Sequence, residues 1–362
     1  MPGKRVLQMA GLITGVITVQ LLTRFTGTGY FLTQLTMSAY YSLVIIGLCL
    51  LIGYAGQISL GHAGFFAMGG YISALLTTYN LLPYKDNAII AVLMKTGILV
   101  VRTNLYGSEI LYFQPWVACI IAVSMTVLVA YLIGGPILKL KGHYLAMATL
   151  GLGIIVYRIV LGSAFFGEAD GLSEVPAFTL LPGLKVSGNL SVRISNYYIA
   201  WGLVIIAFIT LLNLVDSRVG RALRSIHGAE DASSAVGVNT AKYKLNTFVL
   251  SAAFASIAGV FLTHYNGGIG PSEASVMKSV RYVAIVAVGG MANLWGALIM
   301  GVLLNFLSLR GYFGSFDDAV FGGILIVIML FAPEGLIRVD IFRYLKRAVS
   351  GEKAGEQNDG SS

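Results

Sequence analysis

The sequence predicts an all-α polytopic transmembrane helical bundle with discontinuous helices and about eight to ten spans. Three observations lead there. Residues 25–84 contain no Asp, Glu, Lys or Arg, whereas a soluble domain must wet one face of each element and a charge in hydrocarbon is expensive. The 362 residues are 57% hydrophobic and 11% charged, against roughly 25% charged in an average soluble protein. The 44 glycines are about twice the usual share, and small residues let helix backbones approach closely in lipid.

A crossing needs about 20 apolar residues. In chain order the candidates are 6–23, 30–52, 62–82, 115–134, 143–162, 197–215, 245–263, 280–292, 294–310 and 319–333. The first follows the basic MPGKR start. It lacks a small-residue cleavage site, so it reads as a retained helix and not a signal peptide. The segment 280–292 is short and Gly-rich and reads as a half-helix, a recurring device of transport proteins. Two connections are long, 83–114 and 163–196. The first contains Ala88–Val101, too short to span and carrying Lys95, which predicts an interfacial or re-entrant helix. Residues 1–347 form one transmembrane domain, and 348–362 a polar, disordered tail.

Basic residues set the orientation. With the N-terminus in the cytoplasm and ten spans, the cytoplasmic side holds Lys4, Arg5, Lys139, Lys141, Arg218, Arg221, Arg224, Lys242, Lys244, Arg338, Arg343, Lys346, Arg347 and Lys353. These are 14 of the 24 basic residues, and both termini are cytoplasmic. The net charge of +8 therefore belongs to membrane edges and does not signal nucleic acid.

Several chemistries are excluded. Cys49 and Cys119 lie in apolar spans and form no disulfide framework or metal motif. There is no GxxxxGK[ST] phosphate loop, no HExxH and no GxSxG elbow. Acidic residues fall in loops and tails, so a proton- or sodium-coupled carrier would lack its intramembrane carboxylate. Energy then comes from a partner, or the protein is a passive pore.

Two features stand out. The apolar run is interrupted at Gly56, Gln57, Ser59, Gly61, His62 and Gly64. Irregular backbone at bilayer depth survives only against protein or a water-filled cavity, so these residues suggest a substrate passage or a tight helix crossing. His62 reads as a satisfied interior histidine; Gln57 stays open. Gly289 and Gly290 form a second interruption, and paired interruptions point to a midplane site. The GxxxG pair Gly11–Gly15 and the small pair Ala297–Gly301 suggest packing only. The other feature is the polar stretch Asp216–Lys244. Within it Glu230–Val236 suits a short helix, with acidic residues in its first turn and Gly237 as its stop. It is either a docking knob for a cytosolic partner or a solvated connector.

Three stretches then carry a resemblance: Gly53–Tyr71 (GYAGQISLGHAGFFAMGGY), Gly220–Leu245 (GRALRSIHGAEDASSAVGVNTAKYKL), and Ala287–Gly301 with Phe331–Leu336. Together they resemble the permease subunits of branched-chain amino-acid ABC importers, the LivM type, across about residues 30–340. The resemblance implies a permease domain over 1–347 in a bacterial inner membrane. It implies a second homologous permease subunit, two cytosolic ATPase subunits and a periplasmic solute-binding protein as partners. ATP and magnesium would be bound by the ATPases, with no cofactor in this chain, which is then not itself an enzyme. It places the ATPase-coupling loop at Arg221, Arg224, Glu230, Asp231, Ala235 and Gly237. Asp231 stands where the importer signature has Ala, Gly237 lies one place late, and the segment 83–114 is longer than is usual in the family. The expected function is passage of Leu, Ile and Val, driven by partner ATPases. The alternatives are a permease for another small solute such as urea, a short amide or a sugar, a self-sufficient channel or carrier, and, furthest off, an intramembrane enzyme.

Overall fold

The computed structural model describes residues 2–103, 107, 109–311 and 314–331. The tail 348–362, Phe331–Leu336 beyond its first residue, and the basic residues from Arg338 onward lie outside them. Helices α1 (Pro2–Phe25), α2 (Tyr30–Cys49), α3 (His62–Thr78), α4 (Ala88–Lys95), α5 (Pro115–Ile137), α6 (His143–Gly162), α7 (Arg193–Asp216), α8 (Arg218–Gly228), α9 (Glu230–Ala235), α10 (Thr240–Asn266), α11 (Val276–Gly289), α12 (Leu294–Leu309) and α13 (Asp317–Phe331) follow one another. Ten of these lie at the ten positions expected for spans. Six stretches, built on α1, α2 (continued to Tyr54), α5, α6, α7 (from Leu190) and α10, are long and apolar enough to cross a membrane. Helices α3, α11, α12 and α13 are shorter, with 17, 14, 16 and 15 described residues. The shortening of α3 and α11 comes from the two glycine interruptions. The chain is a multi-pass membrane protein.

Helix α2 is the axis of the bundle. Almost all of it is buried, against α7, α10, α11 and α12. By contrast α1 is peripheral and leaves Val6, Leu7, Ile13, Ile17 and Leu22 exposed. Small residues set the tightest crossing, α3 on α10. A Cβ on Gly69 would strike the Ser256 backbone, and one on Gly259 the Phe66 carbonyl. Hydroxyls buried within helices are satisfied locally, as where Ser42 donates to the Ser38 carbonyl (2.7 Å) and Thr126 to that of Ala122 (2.8 Å). Such back-bonding satisfies a polar side chain inside a helix bundle without a partner from another helix.

The connections sort onto two ends of the bundle. At the near end Arg5 pairs with Asp216, Lys141 with Asp231 at 3.0 Å, and Gly56 lies against His227. At the far end Gly29 meets the Arg193 guanidinium, Leu172 bridges Ile269, and Trp116 Nε1 donates to the Leu180 carbonyl at 3.3 Å. Consecutive long helices therefore alternate in direction.

The expectation for Ala88–Val101 needs correcting. Only Ala88–Lys95 is helical, capped by the Asn87 side chain and ended at Gly97, whose φ is +74°. The β-branched run beyond it becomes strand β1 (Leu99–Thr103), antiparallel to β2 (Glu109–Phe113) with Val101 opposite Leu111. A second small hairpin, β3 (Phe178–Leu181) with β4 (Leu184–Val186), occupies the other long connection. Both sit at the far end and leave the bundle itself helical.

Candidate functional site

The first interruption begins before its glycines. After α2 the backbone widens into a π-helical turn over Leu50–Tyr54, unwinds from Ala55 to Gly61, and resumes as α3. Gly56 sits at φ +67°, a conformation only glycine adopts freely. The second interruption is the four-residue turn between α11 and α12, where Gly290 has φ +95°. The two meet. A Cβ on Gly53 would collide with the Met291 carbonyl, and the Cys49 thiol donates to the same oxygen at 3.6 Å. A cavity of about 490 Å³ opens beside them, lined by Gly53, Tyr54, Arg224, His227 and Ala292.

The candidate residues divide by what they touch. Ser59 Oγ meets His62 Nδ1 at 2.9 Å, and His62 Nε2 meets Ser251 Oγ at 2.8 Å. His62 is thus a satisfied interior histidine. Gln57 is different: it is buried, and neither its amide oxygen nor its nitrogen has a hydrogen-bond partner in the chain. Gly61 and Gly64 are where α6 comes closest, against Thr149 and Gly153 respectively. Gly289 packs on Gly296, so the α11–α12 turn is held by backbone contact.

At the near end α8 and α9 project from the bundle. Helix α9 covers Glu230–Ala235, one residue shorter than the expected Glu230–Val236, and Gly237 turns away at φ +88°. Its anchor is a bidentate ion pair: Lys244 Nζ on α10 donates to both Glu230 oxygens at 2.7 Å. A second contact joins Ser233 and Ser225 at 2.5 Å. Asp231, Ala232, Ser234, Ala235 and Val236 face outward, with Val236 79% exposed. Asp231 accepts from Lys141, and this hydrogen bond holds the Lys141 ammonium above its ordinary range. Arg224 donates to the Val215 carbonyl at 3.1 Å and Arg221 reaches that of Asp216 at 3.5 Å. Both arginines therefore cap the C-terminus of α7, where cations suit the helix dipole.

One cluster was not expected from the sequence. The connection after α10 does not stay at the far end. Its 3₁₀ turn Pro271–Ala274 packs against α3 and α6. Glu273 there accepts from the Tyr41 hydroxyl at 3.0 Å and from Lys278 Nζ at 2.8 and 2.9 Å. Tyr41 stands near the middle of α2, about 17 Å along the helix from Tyr30 at ~1.5 Å per residue. An acidic side chain thus lies within the bundle, which amends the expectation that acids are confined to loops and tails. The one available signal was that Glu273 is the sole acid between Asp231 and Asp317, with Lys278 five residues on.

Residues 30–332 match the family described as branched-chain amino acid transport system / permease component. The chain belongs to that family. The permease is 28% identical to the high-affinity branched-chain amino acid transport system permease protein LivM of Salmonella typhimurium, over 89% of this chain and 73% of the relative. It is 26% identical to the corresponding LivH protein of Escherichia coli K12, over 85% and 96%. A ribose import permease of Haemophilus influenzae is 24% identical over 73% and 85%. No solved structure matches.

Proposed function

We propose that the permease is a membrane-spanning subunit of an ATP-driven importer for leucine, isoleucine and valine in a bacterial inner membrane. The observation that carries this is the family match across nearly the whole bundle, together with a short, outward-facing helix α9 that the chain itself does not cover. In this reading the near end is cytoplasmic and both termini are cytoplasmic, as the cluster of basic residues there suggests. A second homologous permease completes the pathway. Two cytosolic ATPases bind ATP and magnesium and bear on α9 through Asp231, Ala235 and the Gly237 turn. A periplasmic solute-binding protein delivers the amino acid to the far end, and this chain carries out no chemistry of its own. The interruptions at Gly56–Gly64, which includes the unpartnered Gln57, and at Gly289–Gly290 border the path. Their broken backbone is what rearranges as access alternates.

The test is uptake of labelled leucine by cells lacking their own branched-chain importers, supplied with this chain and its partner subunits. Energised uptake that unlabelled isoleucine and valine suppress is the expected result. The ribose relative favours one other reading, a sugar permease; ribose and not isoleucine competing for uptake would establish it.

A further inference from the structure

The Glu273–Lys278 pair is the one charged cluster at mid-depth among the described residues whose surroundings are incompletely satisfied. Each partner is well held. Lys278 Nζ bonds both carboxylate oxygens and the Tyr41 hydroxyl, the last at 2.9 Å, and stands 4.4 Å from the centre of the Tyr41 ring. Around them lie two further phenols, Tyr71 on α3 and Tyr282 on α11. Both hydroxyls are buried and have no hydrogen-bond partner; the Tyr282 ring stands 6.3 Å from that of Tyr41, and α3, which carries Tyr71, packs on the Pro271–Ala274 turn. Phenylalanine would fill the same space without burying an unsatisfied donor. Meanwhile the charged side chains keep 17% and 22% exposure, so the pair can be approached. Paired ionisable residues within a membrane bundle mark substrate pathways.

The chemistry selects one kind of visitor. A lone cation is drawn to Glu273 but repelled by Lys278 and by the neighbouring Arg281, which is itself engaged by Ser308, and a lone anion drawn to Lys278 is repelled by Glu273. A neutral sugar gains too little to part the pair. An α-amino acid carries an ammonium and a carboxylate on one carbon, so it can replace each partner with its own opposite charge. We infer that Glu273, Lys278, Tyr71 and Tyr282 form a transit site for a zwitterionic α-amino acid. Glu273 receives the ammonium, Lys278 the carboxylate, and the two phenols the remaining hydrogen bonds. Once the amino acid leaves, the ion pair closes again over Tyr41. The aliphatic side chain is left facing rings: Tyr41 and Phe66 stack here at 5.8 Å.

This rests on the amino-acid permease reading, and the experiment separates the two. The full complex, in proteoliposomes with its binding protein, is first assayed for labelled leucine uptake. If the unaltered complex takes up none, it is the permease reading that fails, and with it the transit site. Given uptake, Tyr282→Phe and Tyr71→Phe decide. Each removes a hydroxyl that bonds nothing in the protein, so a purely packed phenol predicts an unchanged or higher melting temperature and unchanged uptake. The transit site predicts the same melting behaviour with uptake at sub-saturating leucine lowered roughly three- to tenfold, the worth of one hydrogen bond. Glu273→Gln and Lys278→Gln are expected to lower uptake by about tenfold or more, since each deletes a charge-assisted contact. Wild-type uptake by both phenylalanine variants, or by either glutamine variant, overturns the inference. If a glutamine variant does not assemble, the phenylalanine pair still gives the answer.

Discussion

The two buried histidines show how a membrane interior handles an imidazole. His264 Nδ1 lies 2.7 Å from the Pro176 carbonyl, which can only accept, so that nitrogen carries the proton. Its Nε2 must then accept from the Ser73 hydroxyl at 2.9 Å. His62, between two serine hydroxyls, has no such constraint, because either tautomer finds a donor and an acceptor. The lysine at position 244 has fewer options. Its side chain is only 8% exposed and Glu230 neutralises it. Glu230→Ala therefore strands a buried ammonium and should cost the complex on the order of 3 kcal/mol. Thermal melting in detergent should show this loss, and Glu230→Ala/Lys244→Met should recover most of it. A double variant no more stable than the single would show that the pair is not what holds α9. His62 and the glycine breaks were readable in the sequence, because a polar residue in an uncharged run announces itself. Glu273 was not. GGIGPSEAS reads as an ordinary polar connection, and its depth is set by Tyr41, 232 positions away. No local pattern encodes such a partner.

Helix α9 illustrates what a short element needs. Six residues cannot be stable alone, so it depends on Lys244, on the Ser233–Ser225 contact and on the Gly237 turn. The backbone at 230 would accept proline, since that residue opens the helix and its N–H has no intrahelical partner, but Glu230→Pro would still remove the carboxylate that holds Lys244. Proline at 233 would not. Ser233→Pro removes the bond from its N–H to the Ala229 carbonyl, 3.0 Å, and both hydroxyl contacts. It should cost roughly 3 kcal/mol locally and abolish leucine uptake, while immunoblots still find the chain in the membrane fraction. Normal uptake would remove α9 from the coupling role. The crossing of α2 with the α11–α12 turn is equally specific. Gly53→Ala must push the Met291 carbonyl aside, for about 1–3 kcal/mol of overpacking, measurable as a lower melting temperature. The positions of the long helices followed from apolar run length, and their ends from glycine. The hairpins after Gly97 and around Gly183 did not. Short apolar runs suit a strand and a helix turn alike, and only pairing decides between them.

The arrangement of the whole chain makes the assignment of its two sides testable with ease. Both native cysteines, Cys49 and Cys119, are buried, so they give little background to an impermeant maleimide. Val236→Cys, at the exposed tip beside α9, should react only when the reagent reaches the cytoplasmic face. Lys185→Cys in the β3–β4 hairpin should react in intact spheroplasts. The opposite pattern would invert the permease and remove α9 from any cytosolic partner. The positions of the ten apolar helices were legible because lipid imposes one simple rule on every segment it surrounds. Which helix becomes the axis was not, since α1 and α2 are both apolar and both carry glycine, and only the packing of four neighbours on the Tyr and Ser surface of α2 separates them.

Helix α10 joins the two ends of this design. It runs unbroken for 27 residues, about 40 Å at ~1.5 Å per residue. Near its first turn sits Lys244, grasping Glu230; past its last turn, Gly267 leads into the loop bearing Glu273. On the proposed reading, a displacement of α9 pulls through Glu230 on Lys244 and so on the helix whose far end carries the Glu273 loop, and an amino acid held at Glu273 bears on α9 in the reverse direction.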